Sequence, residues 1–318
     1  MTVRLTLSRT AWQAHVQATT EAYGPGLVPV VKGNGYGFGR TRLHALVAGL
    51  DARARVCVGS VHELFDVPAE LSPVVLTPAL APPVDERATL TVGSLAHVHA
   101  LRGWQGEVMV KLASSMRRYG ATPGELPAVL AAIGAADLQM EAFALHLPLA
   151  GDDTSRLAEI EMWLAHVPGD VPLWVSHLTP RSFVELQEGH PARTFRIRIG
   201  TALWHGVPRA DFLHLTADVL HTQHVHAGDL AGYFQSPVPH DGTLVAIGGG
   251  AAHGIAPLDG GASPFHFARR RLTLLERPHM HTSLVVVPRS EPCPQVGERV
   301  DVQRPLIATT IDELEWLP

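Results

Sequence analysis

The chain is short of cysteine, of charge and of long apolar runs, and each shortage removes a class of protein. Cysteine occurs twice in 318 residues, as Cys57 in an expected core strand and Cys293 in a proline-rich loop. No disulfide framework is expected from such a pair, and a reducing, cytoplasmic setting fits. Charged residues make up 17% of the chain and the formal net charge is −5. That balance gives no electrostatic case for nucleic acid or an anionic membrane as partner. The arginine run at 269–271 is too short for a binding tail. Residues 1–12 alternate polar and apolar and lack the apolar core of a signal peptide. No apolar run is long enough to span a bilayer.

What the chain does have is 46% hydrophobic residues, enough for a globular core. Its length suits one large domain or two medium ones. Through the first two-thirds, short apolar strands alternate with helix-like stretches. Strands are expected at 27–31, 55–58, 74–77, 90–92, 108–112, 142–146, 173–175 and 195–199. Apolar residues at helical spacing mark 41–50, 96–104, 125–133 and 155–166. Thr122-Pro123 signals the start of the third, and Leu157, Ile160, Trp163 and Leu164 share one side of the fourth. Eight strands alternating with helices predict an α/β architecture, a (β/α)8 TIM-like barrel over residues 1–207. Past His205 the rhythm changes. Alternation over 213–225, then short strands at 244–247, 283–287 and 299–302, predicts a β-rich C-terminal domain over 208–318.

The most informative residue is Lys32, in the stretch VPVVKGNGYGFG at 28–39. A lysine at the mouth of a buried strand is costly unless it is paired or used covalently. Covalent use suits a bond to pyridoxal phosphate, followed by a glycine-rich loop that receives the phosphate. The plain alternative is a strand-end lysine that snorkels to solvent. Other polar residues also fall at strand ends, where barrels carry their active sites. Arg117 and Arg118 follow the fifth strand. His146 ends the sixth, Ser176 and His177 the seventh, and Arg198 with Gly200 the eighth.

The 28–39 stretch closely resembles the cofactor-lysine motif of alanine racemases, V-K-A-N-A-Y-G-H-G, with Gly33 and Gly35 for the alanines and Phe38 for the histidine. Further segments resemble the same family in order. KLASSMRRYG at 111–120 is similar to K-V-D-T-G-M-G-R-L-G, and FALHLPLA at 143–150 to the segment holding T-H-F-A. RIGTALWHG at 198–206 is similar to R-x-G-x-A-L-Y-G, and GDLAGYF at 228–234 to G-x-x-V-S-Y-G. The resemblance implies a fold-type III pyridoxal-phosphate enzyme, a barrel followed by a β domain. It implies that Lys32 and Tyr233 are the two catalytic bases on opposite faces of the substrate. Lys32, Tyr36, Arg118, His146, Ser176, Arg198, Gly200 and Thr201 would hold the cofactor. Arg118 and Met280 would meet the substrate, and Lys111 would be carbamylated to position Arg118. It also implies interconversion of L- and D-alanine for the cell wall, by a head-to-tail homodimer with shared sites. No metal is expected, because the histidines near 221–226 and 279–281 lack completing ligands.

The chain departs from the family pattern in its last third. IGGGAAHG at 247–254 stands for I-G-Y-A-D-G, RPHMHTS at 277–283 for R-V-C-M-D-Q, and a late P-Y-E is missing. At Trp174–Thr179 the family's Asn-Ser pair reads Ser176-His177, so Ser176 or Thr179 is left to reach the phosphate. The alternative is therefore an alanine-racemase-like protein that binds pyridoxal phosphate with an altered substrate, or without racemase turnover.

Overall fold

The computed structural model describes residues 2–50, 54–207 and 211–318. The expected boundary at 207/208 abuts residues 208–210, which lie outside the described residues. The chain packs as two compact units. One comprises residues 15–35 and 39–206, the other 1–14, 36–38 and 207–318.

The first unit is a ring of parallel strands, buried on both sides and therefore written as near-continuous apolar runs. In ring order they are Leu27–Pro29, Phe195–Ile199, Leu173–Ser176, Gln139–Ala144, Glu107–Lys111, Thr89–Val92, Ser72–Val75 and Arg55–Val58. Closure comes from a parallel bridge of Val30 to Cys57, with the Val31 amide donating to the Cys57 carbonyl at 2.8 Å. All eight expected strands are present, though their ends slide. The sixth runs Gln139–Ala144, not 142–146, because exposed, polar Gln139 still pairs with Glu107. His146 consequently sits just beyond its strand.

The outer helices follow local signals. Asp152 caps Asp153–Leu164 by accepting the Ser155 amide at 2.8 Å, and the helix buries Ile160 and Trp163. Leu95–Ala100 is shorter than the expected 96–104. Gly103, at φ 82, turns the chain, and Trp104 folds back to donate from Nε1 to the Glu107 carbonyl at 3.3 Å. No helix among the described residues is long and apolar enough to cross a membrane.

The second unit is built on an antiparallel sheet. Its order is Arg270–Arg271, Phe265–Phe267, Arg299–Val302, Leu213–Val225, Gly242–Ile247, Ser283–Pro288 and Thr273–Leu274. The N-terminal segment, expected within the barrel domain, belongs here instead. Val3–Ser8 pairs antiparallel with Leu213–Val225 and parallel with Glu313–Leu317. Its alternating pattern puts Val3, Leu5 and Leu7 in the core at 0% exposure, which explains why it seeks a sheet. A bulge between Val219 and His221 breaks the long strand's alternation, and His221, His224 and His226 are all exposed. Among the described residues no group of three or more His, Cys, Asp or Glu is arranged to hold a metal.

Candidate active site

Lys32 projects from a turn pinned on every side. Below it, Trp204 Nε1 donates to the Val30 carbonyl at 2.7 Å. The Gly35 amide closes the turn onto the Lys32 carbonyl at 3.0 Å. The Glu63 carboxylate accepts the amides of Gly33 at 3.0 Å and Gly59 at 2.6 Å. Arg40, held by Asp66 at 2.7 Å, donates to the Gly33 carbonyl. Gly35 is required here: its φ is 63, and a Cβ would lie 2.4 Å from the Arg40 nitrogen. Lys32 is exposed as a residue, yet its pKa lies below the usual lysine range. The surrounding protein strips water from the ammonium, and the positive charges of Arg198 and Arg118 add to that.

Arg198 stands in the last barrel strand and is 8% exposed. Its Nη2 donates to the Leu145 carbonyl at 3.0 Å, while its buried Nε has no hydrogen-bond partner among the described residues. A buried donor without an acceptor costs free energy, so an acceptor arriving there would be favoured. His146 Nδ1 lies 2.9 Å from Ser176 Oγ, which also accepts the Leu147 amide at 3.1 Å. With one proton and two lone pairs, the hydroxyl can serve His146 Nδ1 and the Leu147 amide together. Burial, then Arg198, pushes the His146 pKa down to about 2, with His177, Lys111 and Arg118 adding to it. His177, at φ 63, has its ring 4.9 Å from that of His146. Burial followed by Arg198 lowers it to about 4, with Arg156 and Lys32 contributing.

Lys111 closes the fifth strand at 4% exposure, with Nζ 3.3 Å from the Leu112 carbonyl and 3.5 Å from that of Ala144. Burial, then Arg198 and Arg118, holds its pKa well below the usual lysine range. Arg118 is exposed, with its guanidinium 4.6 Å over the Tyr119 ring. Its loop depends on Gly120, at φ 137, where a Cβ would fall 2.5 Å from the Leu112 carbonyl oxygen. Gly200 opens the helix Thr201–His205, whose first amides lie outside its own bonding.

The barrel unit thus brings together Lys32, Lys111, Arg118, His146, Ser176, His177 and Arg198, each acting on its neighbours by charge or hydrogen bond. Two guanidiniums and two lysines of depressed pKa suit an anionic ligand, and lowering a lysine's proton affinity favours its nucleophilic form. Gly200 and Thr201 belong to the same unit, whereas the expected site residues Tyr36, Tyr233 and Met280 belong to the second. Tyr36 is 5% exposed at φ 57, Tyr233 80% exposed and Met280 68% exposed. Ser176, expected at the phosphate, spends its hydroxyl on His146 and Leu147. Thr179 caps the helix Pro180–Gly189.

The alanine racemase N-terminal domain family matches residues 7–208. The chain belongs to the alanine racemase family. No curated protein matches it. Among solved structures it is similar to an alanine racemase from Bartonella henselae with covalently bound pyridoxal phosphate. That match has 17% identity and a TM-score of 0.76 and covers 100% of both chains. An alanine racemase from Corynebacterium glutamicum shares 18% identity over 99% of each chain, with a TM-score of 0.71. A histidine racemase from Leuconostoc mesenteroides is similar at 19% identity and a TM-score of 0.69, covering 99% of this chain and 97% of that one. The eight-stranded parallel barrel and the antiparallel sheet agree with the fold of this alanine racemase family.

One residue near Lys32 escaped the sequence reading. Glu63 holds the Lys32 turn, and its signal was a Ser-x-x-Glu spacing from Ser60, which usually marks a helix start. Here the carboxylate reaches back to Gly59 and across to Gly33. His177 was visible only as a poor motif match; its left-handed backbone was not.

Proposed function

We propose that the protein is a pyridoxal-phosphate-dependent amino-acid racemase, with alanine the first substrate to test and Lys32 and Tyr233 as its two bases. The observation that carries this reading is the convergence on Lys32. A lysine held on a rigid turn, with its proton affinity lowered by burial and two guanidiniums, is shifted toward the neutral form that bonds an aldehyde. The donor set fits the cofactor. Arg198 Nε, buried without an acceptor among the described residues, would take the pyridine nitrogen as its acceptor, and the neutral His146 would lie against the ring. Arg118 would hold the phenolic oxygen, and the amides at Gly200 and Thr201 would take phosphate oxygens. Bound, pyridoxal phosphate supplies the electron sink that acidifies the substrate's α-proton. Arg198, remaining a cation, disfavours a proton on the pyridine nitrogen. Lys32 Nζ takes or gives the α-proton on one face, and the Tyr233 hydroxyl serves the other. A homodimer with shared sites is part of the same proposal.

A second reading keeps the chemistry and changes the amino acid. Its support is the segment 247–254, which lacks the family's tyrosine and aspartate. There Gly250 lies so close to His279 that a Cβ would fall 2.3 Å from its carbonyl oxygen. The histidine racemase among the similar structures is a further reason to look beyond alanine.

The test is incubation with pyridoxal phosphate and a panel of L-amino acids in heavy water, following α-deuterium together with the D:L ratio. Exchange with inversion for one amino acid is expected. Lys32→Ala should lose both the exchange and the visible absorbance of the covalently held cofactor. A protein that holds the cofactor through Lys32 but exchanges no α-proton would overturn the racemase reading.

A further inference from the structure

Tyr233 sits at the tip of a small hairpin in the second unit, between Leu230–Ala231 and Ser236–Pro237. Such a two-residue ladder has little stability of its own. The tip is nevertheless tied down, and the tie is one carboxylate. Glu276 Oε1 accepts the Tyr233 amide at 2.8 Å and approaches His279 Nε2 at 2.5 Å. Glu276 Oε2 accepts the Phe234 amide at 3.3 Å and the Ser236 hydroxyl at 2.8 Å. Four donors thus converge on a side chain only 4% exposed, although Tyr233 and Phe234 themselves stand 80% and 73% exposed.

The histidine completes the clamp. Its ring lies 4.2 Å from the Tyr233 ring, centroid to centroid, tilted by 41°. Its backbone is fixed in turn, with its amide donating to the Thr282 carbonyl at 2.8 Å and its carbonyl accepting the Ala251 amide at 2.7 Å. Gly232 belongs to the same device. Its φ is 80, and a Cβ there would lie 2.2 Å from Glu276 Oε1, so only glycine lets the carboxylate approach the turn.

We infer that Glu276, acting through His279 and the tip amides, is the positioning residue that presents the Tyr233 hydroxyl for proton transfer. An exposed phenol on an untethered two-residue hairpin samples many orientations, whereas a base must meet the α-carbon in one. The carboxylate restricts the backbone at Tyr233 and Phe234, and the imidazole restricts the ring. The inference rests on Tyr233 being the second base.

Glu276→Leu and Glu276→Gln separate the possibilities in the cofactor-loaded protein. Amide hydrogen exchange at 233 and 234 should rise at least about tenfold in Glu276→Leu and less in Glu276→Gln. The carboxamide oxygen still accepts one amide there, while its NH2 faces donors. Inversion should fall by about 10²-fold in Glu276→Leu, the usual penalty for a misplaced reacting group. Exchange of the α-proton served by Lys32 should persist, and the visible absorbance of the bound cofactor should not change. A change confined to inversion, restored in part by Glu276→Gln, is what a purely structural role would not give. Unchanged amide exchange or unchanged inversion in Glu276→Leu would overturn the inference. So would equal loss of inversion and of Lys32-face exchange. Tyr233→Phe in the same assay tests the foundation. If it inverts substrate like the wild type, the two-base reading fails; if it does not invert and Glu276→Leu does, only the positioning role fails.

Discussion

Arg198→Met should flatten the acid side of the stability profile of the cofactor-free protein. In the folded chain His177 is held near 4 and His146 near 2, by burial first and by Arg198 next. Unfolded, both imidazoles titrate near about 6.5. Between those limits the unfolded chain binds protons that the folded chain refuses. Stability is therefore fully present above the unfolded value and is lost as the pH falls toward the folded ones. For His177 the gap is 6.5 − 4 = 2.5 pKa units. At about 1.4 kcal/mol per unit, that sets an upper bound of about 3.5 kcal/mol. His146 adds loss of the same sign and extends it to lower pH. Carboxylates whose pKa the fold lowers add a loss of the same sign near the acid end, but equally in both proteins. Glu141, which burial raises, works in the opposite direction but equally in both proteins. Methionine keeps much of the arginine stem's volume and removes the charge. Burial remains, so the loss should shrink without vanishing. Urea unfolding from about pH 7.5 down to about 4.5 reads the profile directly. Arg198→Met should retain at least about 1 kcal/mol more of its neutral-pH stability at the acid end than the wild type does. Parallel profiles would show that Arg198 does not set these pKa values, and the electrostatic account of the site would fall with them.

Ser176→Ala removes the hydroxyl that serves both His146 Nδ1 and the Leu147 amide in a site 1% exposed. It should cost about 1–3 kcal/mol in urea unfolding; a change within about 0.5 kcal/mol, the ordinary range for a surface substitution, would remove Ser176 from the network. Lys111 should be carbamylated. Burial and the neighbouring guanidiniums lower its proton affinity, which favours the amine; attack on carbon dioxide would form an N–C bond and release a proton, and the resulting anion would lie near Arg198 and Arg118. Protein equilibrated with 13C-bicarbonate should give a carbamate carbon resonance that Lys111→Met lacks, and its absence from the wild type would refute the modification.

Much of the fold is written locally. Parallel barrel strands are buried on both faces, so Val74, Val75, Leu90, Val92, Val108 and Val110, all at 0% exposure, appear as apolar runs that need no partner to be recognised. Strand limits are less legible because the ladder extends into polar residues, as at Gln139. The allegiance of Val3–Ser8 was not legible at all. Its alternation announces a strand with one buried face, but the partners that bury it are Leu213–Val225 and Glu313–Leu317, about two hundred or more residues away along the chain. Pairing over such separations is decided by the whole fold and leaves no local mark.

The site divides along the same line, between residues marked by a neighbouring motif and residues defined by distant contact. Lys32 and Arg118 stand in motifs whose glycines are themselves structural demands. Gly35 and Gly120 are forced by positive φ and by backbone atoms that a Cβ would strike, so sequence and geometry carry the same constraint. Glu63, His177 and Glu276 carry no such mark. A carboxylate three residues after a serine looks like a helix cap, and a glutamate before Arg277-Pro278 looks like a solvated turn. What makes Glu276 consequential is that four donors from residues 233, 234, 236 and 279 arrive at its two oxygens. Three of those four lie some forty residues earlier in the chain. Substituting a residue of this second kind leaves every recognisable motif intact. The effect on function should therefore exceed what motif-based comparison of this family would assign to it, and the Glu276 variants measure that excess at a position no motif names.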